Sequence, residues 1–259
     1  MLADLFSLRN RTALITGGSR GIGKIIAAAF LEAGARVYIS SRKADQCDAT
    51  AAALAGHSGA CVSLPQDVST VEGCHKLAAA FQRREPTLDI LVNNAGASWL
   101  AAFDEFPERG WDKVLNLNLK SPFFLTQALG RALEAAATAD KPAKVINIAS
   151  MDGIILNPIE AYSYTASKAA LIHLTRRLAA RLIERNIVVT AIAPGPFASD
   201  MNVDARDRTD SVAAAVPARR IGKDEDIAGA ALYLASRAGD FVVGETIAVD
   251  GGISFASFI

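Results

Sequence analysis

Tyr164 and Lys168 stand four residues apart within a stretch of helical pattern, Ala161–Arg185, so both side chains leave one face of the helix and can act on one small molecule. A phenol with a pKa near 10 is a poor base at neutral pH. Ionising it there requires a downward shift of about three units, roughly 4 kcal/mol, and Lys168 is a natural source of the positive charge. In the opposite direction a neutral Tyr164 can hand its proton to an oxygen that is becoming an alkoxide. Ser150, fourteen residues earlier, offers a hydroxyl to the same carbonyl oxygen. Tyr162 lies close by, but Ala166 stands four residues after it, so it lacks the cation.

A second constellation lies near the N-terminus. The apolar run Ala13-Leu14-Ile15 leads into Thr16-Gly17-Gly18-Ser19-Arg20-Gly21-Ile22-Gly23 and then directly into a helical pattern. Glycines there permit a tight turn and let the backbone approach a pyrophosphate, while the helix start presents free N–H groups to it. The turn therefore suits a dinucleotide. It is no phosphoryl-transfer loop, because Lys24 is followed by Ile25 where a serine or threonine is needed. The second strand ends at Ser40-Ser41-Arg42, where an acidic residue would bind the ribose 2′-hydroxyl of NAD. No carboxylate is present. Arg42 and Arg20, with the Ser41 hydroxyl, suit a 2′-phosphate and hence NADP(H), the plainer alternative being two solvated arginines. Asp67 and Val68, after the third strand, are placed to hold the adenine, the carboxylate accepting from its amino group and the valine packing on its ring.

These residues need a scaffold that brings loop after loop to one edge. Short apolar runs at Thr12–Thr16, Arg36–Ser40, Ala60–Leu64, Asp89–Val92, Lys144–Ala149, Ile187–Ile192 and Thr246–Val249 alternate with helical patterns. Those patterns cover Ile22–Ala33, Lys43–Ala55, Thr70–Arg84, Trp111–Ala137, Ala161–Arg185 and Asp224–Ala235, the Trp111 run being long enough for two helices or a bent one. The alternation predicts a single α/β domain over residues 1–259, with seven parallel strands and helices on both faces. In such sheets ligands bind beyond the carboxyl ends of the strands.

Composition narrows the partners. The 27 Lys+Arg and 27 Asp+Glu cancel, which argues against a nucleic-acid or anionic-membrane surface. The opening Met1-Leu2-Ala3-Asp4-Leu5-Phe6 has no export signal and no window reaches spanning length, so a cytoplasmic protein is expected. Cys47, Cys61 and Cys74 fit neither a disulfide framework nor metal spacing, and His57, His75 and His173 have no partner at ligand spacing; no metal is expected.

In their order and spacing, Thr16-Gly17-x3-Gly21-Ile22-Gly23, Asn93-Asn94-Ala95-Gly96, Asn118, Ser150, Tyr164-x3-Lys168, Pro194-Gly195 and Asp250-Gly251-Gly252 resemble the short-chain dehydrogenases/reductases, from about Arg11 to Gly252. The resemblance implies a Rossmann fold and an Asn118–Ser150–Tyr164–Lys168 mechanism with hydride coming from the cofactor. It also implies that Lys168 bonds the nicotinamide ribose and that Asn118 orders a water leading to solvent. Asn94, Ala95 and Gly96 would line the cofactor cleft, and Ser199, after Pro194 and Gly195, stands where the family places a threonine on the carboxamide. Residues 196–220 would be a substrate lid, and the long helices would assemble a homotetramer, with the apolar ending Ile253–Ile259 covered. The Asn94–Trp99 and Gly110–Val114 stretches, with the long Ser150-to-Tyr164 spacing, are similar to the rhamnolipid-associated 3-oxoacyl reductases. That points to a ketone substrate, a 3-oxoacyl thioester, free or carrier-bound. Polyol, sugar or steroid dehydrogenation is the alternative within the family, and dinucleotide sensing without turnover the alternative outside enzymes.

Overall fold

The computed structural model describes residues 2–56, 60–200 and 202–256. Seven parallel strands, β1 (Thr12–Thr16), β2 (Arg36–Ser40), β3 (Cys61–Ser63), β4 (Ile90–Asn93), β5 (Ala143–Ile148), β6 (Ile187–Pro194) and β7 (Thr246–Val249), lie in the order β3-β2-β1-β4-β5-β6-β7. The order reverses between β1 and β4, the place where an open α/β sheet forms a crevice. Side chains alternate along each strand, so the sheet has a core on either face. Ala13, Ile15, Val37 and Ile39 meet Ile26, Phe30, Ile227 and Leu234 on one side. Leu14, Tyr38, Leu91 and Val145 meet Leu77, Phe81, Leu125 and Leu133 on the other. All eight β6 residues are buried, which is why that strand reads as an unbroken apolar run.

Two strands differ from their sequence ranges in instructive ways. β3 keeps only three paired residues, because it is an edge strand with β2 as its single neighbour. β6 runs on through Pro194, which pairs with Val249 of β7 and brings Gly195 onto the backbone of Asp250.

The Trp111–Ala137 run is a chain of pieces: helix Glu108–Leu115, a π-helical turn Asn116–Lys120, helix Ser121–Ala128, and helix Gly130–Ala136 after a break at Leu129. Pro122 accounts for the π turn. It cannot donate to the carbonyl four residues back, that of Asn118, and its ring would collide with it in a regular helix; widening the turn relieves both problems. The catalytic-helix pattern forms as Tyr162–Leu182, closed by a 3-10 turn at Ile183–Arg185.

Candidate active site

The strand ends converge at the β1/β4 crevice. Gly17 takes a left-handed φ of +65°, and a Cβ there would lie 2.7 Å from the Asn94 side-chain nitrogen. Only glycine fits so close an approach. Asn94 in turn sews this loop to β1: its side chain donates to the Thr16 carbonyl at 2.9 Å and the Gly17 carbonyl at 3.2 Å. The Asn94 and Ala95 N–H groups both donate to the Thr16 hydroxyl at 3.0 Å. The following helix, Gly21–Glu32, has no side-chain cap from Arg20, leaving its first-turn N–H groups facing the loop. Ser199 arrives from beyond β6, with its Cβ 3.9 Å from where a side chain on Gly21 would start, and its hydroxyl accepts from the Asn202 N–H at 3.1 Å.

Beyond β5 lies the second half. Ser150 is buried and caps the 3-10 turn Met151–Gly153, its hydroxyl accepting the Asp152 N–H at 3.2 Å. Gly153 presses that turn against the helix Tyr162–Leu182, since a Cβ there would fall 2.7 Å from the Lys168 carbonyl carbon. Lys168 is 4% exposed; its ammonium donates to the Ile148 carbonyl at 2.7 Å and sits 5.6 Å from the Tyr164 ring centroid. Asn118, in the centre of the π turn, is clamped on both sides. Its amide oxygen accepts from the Ala97 N–H at 2.8 Å, and its nitrogen donates to the Ala97 carbonyl at 2.9 Å and the Ser167 hydroxyl at 3.0 Å. Gly96 leaves room between them, since a Cβ there would sit 3.4 Å from Asn118 and 3.8 Å from the Lys168 ammonium.

Burial dominates the electrostatics of the cluster. Burial pushes the Tyr164 phenol up to about 12; the Ser150 hydroxyl pulls it down and the Asp152 carboxylate pushes it further up. Burial brings the Lys168 ammonium down to about 8, with Asp152 opposing. Lys168 alone thus does not draw the phenol toward neutral pH: the two groups lose their hydration together, and desolvation outweighs the attraction. The chain's own atoms leave Tyr164 protonated, which is the state of a proton donor.

The family described as enoyl-(acyl carrier protein) reductase matches residues 17–254. The chain is 45% identical over 250 residues to a rhamnolipids-biosynthesis 3-oxoacyl-(acyl-carrier-protein) reductase of Pseudomonas aeruginosa, covering 95% of this chain and 97% of that one. It is 34% identical over 254 residues to the gluconate 5-dehydrogenase of Gluconobacter oxydans, covering 97% of each. Among solved structures, a Pseudomonas aeruginosa RhlG/NADP active-site complex superposes with a TM-score of 0.94 at 44% identity, over 97% of this chain and 99% of that one. A Burkholderia cenocepacia gluconate 5-dehydrogenase in complex with NADP and tartrate gives 0.89 at 34%, over 99% and 100%. The chain belongs to the short-chain dehydrogenase/reductase family.

Several residues of this short-chain reductase stand differently from their sequence reading. Arg20 is exposed and its guanidinium is engaged at 2.7 Å by Asp200 from the segment after β6, while Asp200 also meets Arg206 at 3.2 Å. Arg42 is exposed and enters no ion pair among the described residues. Beside them the Ser40 hydroxyl is buried without a hydrogen-bond partner among the described residues. Ser41 donates to the Lys43 carbonyl at 3.4 Å. Ser19 is buried, and its carbonyl accepts from Thr50 at 2.9 Å. Asp67 is exposed and accepts from the Ser69 N–H at 2.9 Å. Val68 is buried, its side chain packed with Leu64 and Cys74. Residues 196–220 carry two short helices, Val203–Asp207 and Thr209–Ala215, the first capped by Asn202. His75 and His173 are exposed, and His57 lies outside the described residues.

The structure gives the Asn93 of the Asn93–Gly96 motif its partners, and shows positioning groups, Asn147 and Thr175 among them, that the sequence reading missed. Asn93 donates to Asn147 at 2.9 Å, and Asn147 to Thr175 at 2.9 Å, a buried ladder tying β4 and β5 to the catalytic helix. Ser167 and Asn157 are further examples. The available signal was the polar residue in an otherwise apolar run, as in Val145-Ile146-Asn147-Ile148.

Proposed function

We propose that this chain is an NADP(H)-dependent carbonyl reductase, acting in the cytoplasm as a homotetramer on 3-oxoacyl thioesters. The observation that carries the reading is the cluster of buried Ser150, Lys168 and Asn118 with half-buried Tyr164 beside the glycine loop. The residues present fit the cofactor. Gly17 and Gly23 admit backbone where any Cβ would collide, the helix start at Gly21 is uncapped, and the orphaned Ser40 hydroxyl and unpaired Arg42 stand at the end of β2. Gly17, Gly21, Ile22 and Gly23 would cradle the phosphates, Ser41 and Arg42 the 2′-phosphate, and Asn94 to Gly96, Gly195 and Ser199 the nicotinamide side.

When bound, the cofactor supplies or accepts hydride. Ser150 holds the substrate carbonyl oxygen by its hydroxyl. Tyr164, neutral over the physiological range, delivers its proton as that oxygen gains charge. Lys168, buried and with a lowered pKa, places a cation next to the phenol and eases loss of that proton. Asn118 and Ser167 fix the helix face from which Lys168 projects. The thioester class is supported by the 45% identical relative and by apolar side chains around the loops next to Ser150: Leu100, Leu156 and Ile159 are exposed. The gluconate 5-dehydrogenase relatives support a sugar-acid substrate as the second reading.

A panel of 3-oxoacyl thioesters, 5-keto-D-gluconate and small ketones, assayed with NADPH and NADH, tests this. The expected result is thioester reduction, with NADPH preferred at least about tenfold in kcat/KM from a contact worth about 1.5–3 kcal/mol. Arg42→Ala should erase most of that preference. Equal use of NADH would remove the strand-end reading, and a preference for the sugar acid would replace the substrate. A monomer mass by light scattering at micromolar concentration would overturn the assembly.

A further inference from the structure

Among the charged groups around the catalytic four, one acidic residue is unexplained by the mechanism. Asp152 follows Ser150 by two positions, in the 3-10 turn that Gly153 presses against the backbone of Lys168. Its own N–H donates to the Ser150 hydroxyl at 3.2 Å, which ties the turn to the catalytic serine. Its carboxylate accepts a short hydrogen bond from the Asn157 side chain, and Asn157 is itself fixed by accepting the Ile159 N–H at 2.9 Å. Burial pushes the Asp152 carboxyl up, while Asn157, Ser150 and the Lys168 charge pull it down. Both Tyr164 and Lys168 feel its charge. Asp152 thus lies on the Ser150 side of the cluster, held there by a side chain from the elongated Ser150-to-Tyr164 loop.

We propose that Asp152 is a specificity-determining residue, whose carboxylate cancels the Lys168 charge at the reacting carbonyl and so selects neutral ketones over ketones that carry a carboxylate. With Ser150 and Tyr164 neutral, Lys168 and Asp152 leave the cluster without net charge. Replacing Asp152 by a neutral group leaves one positive charge, which a substrate carboxylate a few bonds from the carbonyl would meet favourably. The inference deepens the carbonyl-reductase reading and rests on it.

The test uses a pair of ketones differing chiefly in charge: ethyl 3-oxobutyrate and 3-oxobutyrate, at one pH with saturating NADPH. Asp152→Asn keeps the shape and an oxygen for Asn157. It should raise the kcat/KM of the anion relative to the ester by about tenfold, the size expected for removing one charge several ångström from another at a protein's effective dielectric. Any change in Tyr164 acidity is common to both ketones and cancels in the ratio. Asp152→Glu, which keeps the charge, should keep the wild-type ratio. A ratio unchanged within twofold in folded Asp152→Asn, both ketones rising or falling together, would overturn the proposal and leave Asp152 a structural residue. Calorimetric binding of the same two ketones to the NADP-loaded wild type and variant reads the same ratio without turnover, so failure of reduction itself sinks the function reading and not this one.

Discussion

Strand β5 has a buried lysine near each end, and the two are treated in opposite ways. Lys144, at the N-terminal end and 1% exposed, has its ammonium 2.7 Å from an Asp240 carboxylate oxygen. Nearby, Arg11 and Lys141 share Asp89 at 3.4 and 3.0 Å. Lys168 lies off the C-terminal end, 4% exposed, with the Ile148 carbonyl as its hydrogen-bond partner and no carboxylate within ion-pair distance among the described residues. Burial lowers the proton affinity of both. At Lys144 a full countercharge opposes that, and the pair is closed to outside molecules. At Lys168 the opposing charge is Asp152, which acts from beyond ion-pair distance, so no carboxylate closes the ammonium off. A desolvated charge with its partner in place is architecture; one without is available for chemistry.

The largest test of this contrast is kinetic. Tyr164→Phe and Lys168→Met should each lower kcat by about 10²–10⁴-fold, the range for losing a positioned proton donor or its support, with the fold intact by circular dichroism. Lys144→Met should leave kcat within a few-fold, and comparable losses at both lysines would erase the distinction. Stability should show the reverse. Removing Lys144 strands Asp240, at a cost of about 3 kcal/mol in urea unfolding, and adding Asp240→Leu should restore most of it. A single variant as stable as the wild type would mean that the pair contributes nothing.

A smaller effect is a pH slope. Lys168 binds its proton with a pKa of about 8 when folded, against 10.5 for the free side chain. Between those values the unfolded chain carries the extra proton, so this group makes the fold more stable as pH rises, and its penalty is complete below about pH 8. Unfolding free energies of wild type minus Lys168→Met should therefore climb from pH 8 to pH 10 by up to about 1.4 kcal/mol per unit. A flat difference would show that the buried ammonium is not desolvated. The smallest effect concerns the ladder behind the site: Thr175→Val leaves the Asn147 amide without its acceptor and should cost about 1 kcal/mol or somewhat more, with kcat little changed.

Where a residue's role depends on local rules, it could be read from the chain. Tyr164 and Lys168 share a face because helices repeat every 3.6 residues, and the Gly17 turn announces itself by a glycine pattern between a strand and a helix. Fold class followed from the same kind of regularity. The π turn is different: Pro122 marked a break, but that the relief would be a widened turn centred on Asn118 depends on the clamp from Ala97 and Ser167, distant in sequence. That Arg20 meets Asp200 could not be read from the chain, since the two lie 180 residues apart. The packing of Val68 with Leu64 and Cys74 is likewise a tertiary fact. The direction of the Tyr164 shift was illegible for the same reason, since desolvation depends on everything packed around a group.

The reversal of strand order has a further consequence, for how the chain finds this structure. Every pairing in the sheet is parallel, so none can form through a tight hairpin and each needs a crossover. The pairing farthest apart in sequence is that of β1 with β4, where Ala13 meets Ile90. The strands on either side of it, β1 to β3 and β4 to β7, are joined by shorter closures. The crevice therefore opens along the seam whose closure costs the most chain entropy, though the excess grows only logarithmically with loop length. A molecule gripping Gly17 on one side and Gly96 on the other would bind only the closed seam, and would shift the folding equilibrium at the step the chain finds hardest.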